Sequence, residues 1–138
     1  MAAKSVRELM SQDVTTVAPD ATVMDAAKLI KEKDVGPLPV VENGRLVGIV
    51  TDRDIVVRVL AEGRDPGSTP VRDAASEDLV TISADQELDE ALRLLAEHQV
   101  RRLPVVEGDR LLGIIAQADV AREASASKTG EVVEEISR

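Results

Sequence analysis

The sequence contains no Phe, Trp or Tyr, no cysteine, and a single histidine, His98. Without aromatic rings, a flat ligand can be held only between aliphatic side chains, proline and backbone. The same lack removes the stacking platforms on which single-stranded nucleic acid lies. Absence of cysteine excludes disulfides, thiol nucleophiles and thiolate zinc sites. One histidine leaves a Ser-His-Asp arrangement a single candidate base, and a His-rich metal site has none. No apolar run approaches the ~18 residues of a membrane span, and Met1 to Glu8 carry no apolar signal core. A cytoplasmic protein with no membrane partner is expected.

The 138 residues are 43% hydrophobic and 31% charged, an ordinary globular composition long enough for one domain or two very small ones. Lys and Arg number 17 against 26 Asp and Glu, a net charge of −9. An acidic surface repels phosphate backbones, so no nucleic-acid partner is expected.

The chain repeats itself. At an offset of 65 residues, Val6 to Arg58 align with Val71 to Glu123 without a gap, and about 20 of the paired positions are identical. The strongest block is Leu38-Pro39-Val40-Val41-Glu42 against Leu103-Pro104-Val105-Val106-Glu107. Gly48-Ile49 recurs as Gly113-Ile114, and Asp54 as Asp119. Residues 5–60 form the first repeat, 71–123 the second, and 61–70 a Gly/Pro/Ser linker that suits neither helix nor strand. Residues 124–138 are an acidic tail, in which Val132, Val133 and Ile136 could make a short helix or stay disordered.

Each repeat predicts the order β-α-β-β-α. An extended segment (Val14 to Val17; Leu79 to Ile82) precedes a helix with an apolar stripe at Val23, Ala26, Ala27 and Ile30, or at Leu88, Ala91, Leu92 and Leu95. Thr22-x-x-Asp25 fits a capping box. Asp20 and Asp85 lie just ahead of the helices as caps, and His98 ends the second one, where a cation suits the dipole. Asn43-Gly44 and Gly108-Asp109 each mark a hairpin between β-branched runs. A closing helix follows over Ile55 to Leu60. One such unit cannot cover its own core, so two copies must pack together.

This duplicated unit resembles a CBS (cystathionine β-synthase) domain pair, free-standing rather than attached to an enzyme. The resemblance spans about residues 5 to 123. It is carried by Asp13-Val14-Thr15-Thr16-Val17, Val35-Gly36-Pro37-Leu38-Pro39-Val40-Val41 and Gly48-Ile49-Val50-Thr51-Asp52-Arg53-Asp54-Ile55, each with its counterpart. It implies an α/β (α+β) fold in which the two repeats pack through their sheets into one pseudo-two-fold module. It also implies two clefts and a disk-like homodimer. The implied ligands are adenosine compounds: AMP, ADP, ATP or S-adenosylmethionine.

The family's ribose motif ends in (Thr/Ser)-x-x-Asp, which Thr51 and Asp54 match. A carboxylate accepts hydrogen bonds from both ribose hydroxyls. The resemblance further implies phosphate contacts from Arg53 and from the basic pair Arg101 and Arg102, whose planar forks suit phosphate. Adenine would lie against Thr16, Val17, Val35, Pro37 and Leu38. A second, weaker cleft would use Thr81, Ile82, Val100, Leu103 and Asp119, because Ala116 and Ala118 replace Thr51 and Arg53 there. The alternative role for Thr51 and Asp54 is to cap the closing helix.

The function expected is that of a non-enzymatic regulatory module. It binds an adenosine nucleotide between its repeats, needs no cofactor or metal, and signals to an unidentified protein target. The alternative is a ligand-free dimer that serves only as a protein-interaction module.

Overall fold

In the computed structural model, which describes residues 5–123, the repeat is visible element by element. The first repeat contains α1 (Val6–Leu9), α2 (Val23–Lys33), β1 (Leu38–Glu42), β2 (Arg45–Val50) and α3 (Asp52–Ile55). A π turn over Val56–Leu60 extends α3, and a 3-10 turn at Val71–Asp73 follows the linker. The second repeat contains β3 (Ile82–Ser83), α4 (Leu88–His98), β4 (Arg102–Glu107) and β5 (Arg110–Ala116), and residues 117–123 are again helical. The strands are hydrogen-bonded in the order β1-β2-β5-β4-β3. The acidic tail, with the expectation placed on it, lies outside the described residues.

Local chemistry accounts for these elements. The helices α2 and α4 bury Val23 and Ala26, and Leu88, Ala91 and Leu95, while Ala27, Ile30 and Leu92 are half-buried. Each helix stops at a residue in the left-handed region, Asp34 (φ 51) and Gln99 (φ 53). His98 is the exposed last residue of α4. Asn43 and Gly44 both have positive φ, as a two-residue type I′ hairpin requires. In the second hairpin only Gly108 does, matching a type II′ turn with glycine at its first central position.

Three local expectations are corrected. The segment Val14 to Val17 makes only a single parallel bridge, Val17 to Val40. Of the Thr22 capping box only the hydroxyl half forms, accepting from the Asp25 N–H at 3.1 Å. Linker carbonyls supply the other acceptors: Val23 N–H donates to Thr69 O and Met24 N–H to Pro66 O. The closing helix starts three residues before Ile55, because a full capping box begins it at Thr51. It then widens to a π turn, with Ala61 N–H reaching back to Val56 O at 2.8 Å.

Contacts group the described residues into two compact units that are discontinuous in the chain. The first-repeat unit holds residues 13–79 and 106–112; the second-repeat unit holds 5–12, 80–105 and 113–123. In the first unit, Val71 N–H donates to Ala21 O, Arg72 N–H to Pro19 O, and Ser76 and Ile49 exchange both bonds. Exactly matching bonds hold the second unit 65 residues away: Val6 to Gln86, Arg7 to Ala84, and Ser11 with Ile114. The opening segment of each repeat therefore completes the fold of the other repeat.

The first unit's core is Val17, Val23, Ala26, Leu38, Val40, Val50, Ile55, Val59, Val71 and Ala74. Each fully buried aliphatic side chain contributes about 1.5–3 kcal/mol, which is what fixes the strand and helix faces. The tip of the second hairpin joins this unit through Leu46 N–H to Asp109 O and Leu111 N–H to Gly44 O.

Candidate functional site

The turn after β2 holds the two residues of the ribose motif. Thr51 Oγ1 accepts from the Asp54 N–H at 3.1 Å, and Asp54 Oδ2 accepts from the Thr51 N–H at 3.0 Å. Both residues therefore cap α3, and the same bonds hold the Asp54 carboxylate in one place. Its side chain is 17% exposed, and Oδ1 stands 4.0 Å from Arg58 Nε. A carboxylate has about four lone-pair sites, so a capped Asp54 keeps acceptor capacity.

Arg58 was not singled out by sequence reasoning. Its Nη1 donates to Ala74 O and Ala75 O at 3.1 and 3.2 Å, tying the turn to the segment beyond the linker. The one signal for it is the i, i+4 spacing from Asp54, which places opposite charges together on a helix.

Arg53 is exposed, and only its backbone N–H is engaged, by Asp52 Oδ1. Arg101 is exposed and Arg102 half-buried, both in the second-repeat unit. Among the described residues, none of these three guanidinium groups forms an ion pair or hydrogen bond.

The residues expected to line an adenine slot divide by burial. Val17 and Leu38 are core residues, 6% and 0% exposed, and Val35 packs against the same core. Pro37 is half-buried and Thr16 exposed. Val17 N–H donates to Pro39 O, and Val17 O accepts from Val41 N–H. Neither the N–H nor the C=O of the neighbouring Thr16 has a partner among the described residues.

In the second-repeat unit, Ile82 and Leu103 are buried, while Thr81, Val100 and Asp119 are half-buried. Ala116 offers no hydroxyl, and the Asp119 carboxylate is paired with Arg122. No group of three or more His, Cys, Asp or Glu side chains able to hold a metal occurs among the described residues. No helix there is long and apolar enough to cross a membrane.

Comparisons with known proteins agree with this architecture. The CBS domain family model matches residues 6–61 and again 71–126. The CBS domain-containing protein YhcV of Bacillus subtilis (strain 168) is 44% identical over 134 residues, covering 96% of this chain and 95% of its own. The crystal structure of Hypoxic Response Protein I with two coordinated zinc ions superposes with a TM-score of 0.78 at 39% identity, covering 86% of this chain and 98% of that one. A CBS domain pair in complex with methylthioadenosine and S-adenosylmethionine has the same fold, with a TM-score of 0.76 at 24% identity, covering 91% and 99% of the two chains.

Proposed function

The chain belongs to the CBS domain family as a tandem pair, a regulatory module, and on that premise we propose that it binds an adenosine-containing compound at the Thr51–Asp54 turn. AMP, ADP, ATP and S-adenosylmethionine are the candidate ligands, and no residue is given a catalytic role. The observation that carries this reading is the Asp54 carboxylate, fixed by Thr51 yet with acceptor positions left over. Two vicinal ribose hydroxyls would donate to it. The free N–H and C=O of Thr16 would read the adenine edge, with Val35 and Pro37 beside it. Arg53 is offered as a phosphate contact, since its guanidinium lacks a partner among the described residues, and Arg101 and Arg102 are offered as further ones only because the resemblance implies them. A CBS domain pair of the same fold in complex with methylthioadenosine and S-adenosylmethionine supports the adenosyl class.

Binding would stabilise the occupied form by about 2.7 kcal/mol at 100 times Kd. It would regulate by favouring whichever arrangement of subunits holds the ligand better. The partner proposed for assembly is a second copy of the chain. Val56, Val57 and Leu60 are 53%, 48% and 55% exposed on one side of the turn that closes the first repeat, an apolar patch suited to such a copy. This patch also favours the second reading, a docking module without ligand.

A dye-based thermal-unfolding screen against AMP, ADP, ATP, S-adenosylmethionine, NAD and GTP separates the two. The sensor predicts a dose-dependent rise with adenosine compounds that is lost in Asp54→Ala. No shift with any of them, together with a dimer in sedimentation that Val57→Glu dissociates, would replace the sensor with the docking module.

A further inference from the structure

We propose that a pocket of the first-repeat unit, separate from the Thr51–Asp54 turn, binds a small zwitterion of α-amino-acid size. The pocket has a volume of ≈ 220 Å³. That is below the roughly 300–1,000 Å³ of sites for drug-sized ligands, and too small for a nucleotide. Pro19, Val40, Val47, Gly48 and Ala75 give it an apolar wall, while Arg72, Glu42 and Glu77 supply its charges. None of these three charged side chains forms a hydrogen bond or ion pair among the described residues.

The sign pattern selects the ligand. A plain anion would meet two carboxylates beside one guanidinium, and a plain cation would meet the guanidinium. A molecule carrying both charges satisfies both sides at once. Its carboxylate would take the planar fork of Arg72, and its ammonium would donate to Glu42 and Glu77. A short apolar side chain would rest on the wall of Pro19, Val40 and Val47, where Ala75 extends no further than its Cβ.

The second repeat provides an internal control. At the matching positions, Met10 stands for Ala75 and Gly113 for Gly48. There the Met10 Sδ and Cγ lie 3.1 and 3.3 Å from where a Cβ on Gly113 would sit, so the side chain fills the space. Arg7, the counterpart of Arg72, is paired with Asp85 at 3.4 Å. The same backbone thus has its arginine paired and its space filled in one repeat, and in the other it is open, with charges unpaired among the described residues.

A saturation-transfer NMR titration of the full chain tests this, using glycine, alanine and valine with isobutyrate and isobutylamine as single-charge analogues. At least one of the amino acids should bind, with each single-charge analogue about tenfold or more weaker. Ala75→Met, which copies the plug, should abolish the signal. Arg72→Gln should weaken it about tenfold or more and serves if the first variant folds poorly. Asp54→Ala should leave it unchanged, so loss of adenosine binding and loss of this site are distinguishable. The proposal is overturned if no amino acid binds at about 10 mM, if isobutyrate matches valine, or if either pocket variant binds as the parent does.

Discussion

The turn Thr51-Asp52-Arg53-Asp54 and its counterpart Ala116-Gln117-Ala118-Asp119 occupy the same place in two copies of one fold, yet their carboxylates are differently occupied. Asp54 is locked by Thr51 into a reciprocal cap and faces Arg58. Asp119 has no hydroxyl opposite it and is paired with Arg122. Meanwhile the main-chain bonds by which residues 71–76 and 6–11 complete the two units match at the 65-residue offset. Backbone hydrogen bonds are indifferent to side-chain identity, so the scaffold can stay fixed while one turn changes its chemistry. The separate pocket of the first-repeat unit differs in the same way, with Met10 closing in one unit what Ala75 leaves open in the other.

The largest expected effects test whether the two units are equivalent. Leu38→Ala and Leu103→Ala, both at fully buried positions, should each cost about 2–5 kcal/mol in denaturant unfolding. Markedly unequal losses would mean that one unit carries the fold. Next come the glycines that face the exchanged segments. A Cβ on Gly113 would lie 2.5 Å from Ser11 O, and one on Gly48 would lie 3.1 Å from Ser76 O. Gly113→Ala should therefore cost about 1–3 kcal/mol and Gly48→Ala less.

Smaller again is the cap. Thr51→Ala should lose about 1 kcal/mol, whereas Ala116→Thr should gain stability only to the extent that it draws Asp119 away from Arg122. Thermal melts of the two variants would show the asymmetry. The smallest effect concerns Arg93 on α4, which bonds Glu90 and Glu97 on the surface. The hydrogen bond from Arg93 holds the Glu90 carboxyl below its ordinary pKa. A lowered carboxyl pKa adds stability above the ordinary range, and that stability is lost as pH falls through the lowered value. Arg93→Ala should thus melt slightly lower at neutral pH, and acid or about 1 M salt should erase the difference.

Most of the fold was legible because it is written in local patterns. The hairpin residues Asn43-Gly44 and the apolar stripe from Val23 to Ile30 specify their structures within a few residues. The repeat then doubled every such signal. What could not be read depended on distant partners. Nothing near Val6 or Val71 indicates that each completes the other repeat, since a single buried valine fits many surroundings. That the N–H groups of Val23 and Met24 would find linker carbonyls is something no capping pattern contains. For the site, Thr51 and Asp54 were legible from their spacing, whereas the hold of Arg58 on Ala74 and Ala75 required the folded chain. Val17 and Leu38, which the resemblance places beside the adenine, are core residues of the first unit.

The central claim is that one turn, and not its twin, holds a ribose. Calorimetric titration of the adenosine compound found in the screen into the parent chain, Asp54→Ala and Asp119→Ala measures this directly. The account predicts one binding event per chain, abolished by Asp54→Ala and preserved by Asp119→Ala. Undiminished binding in Asp54→Ala would contradict it.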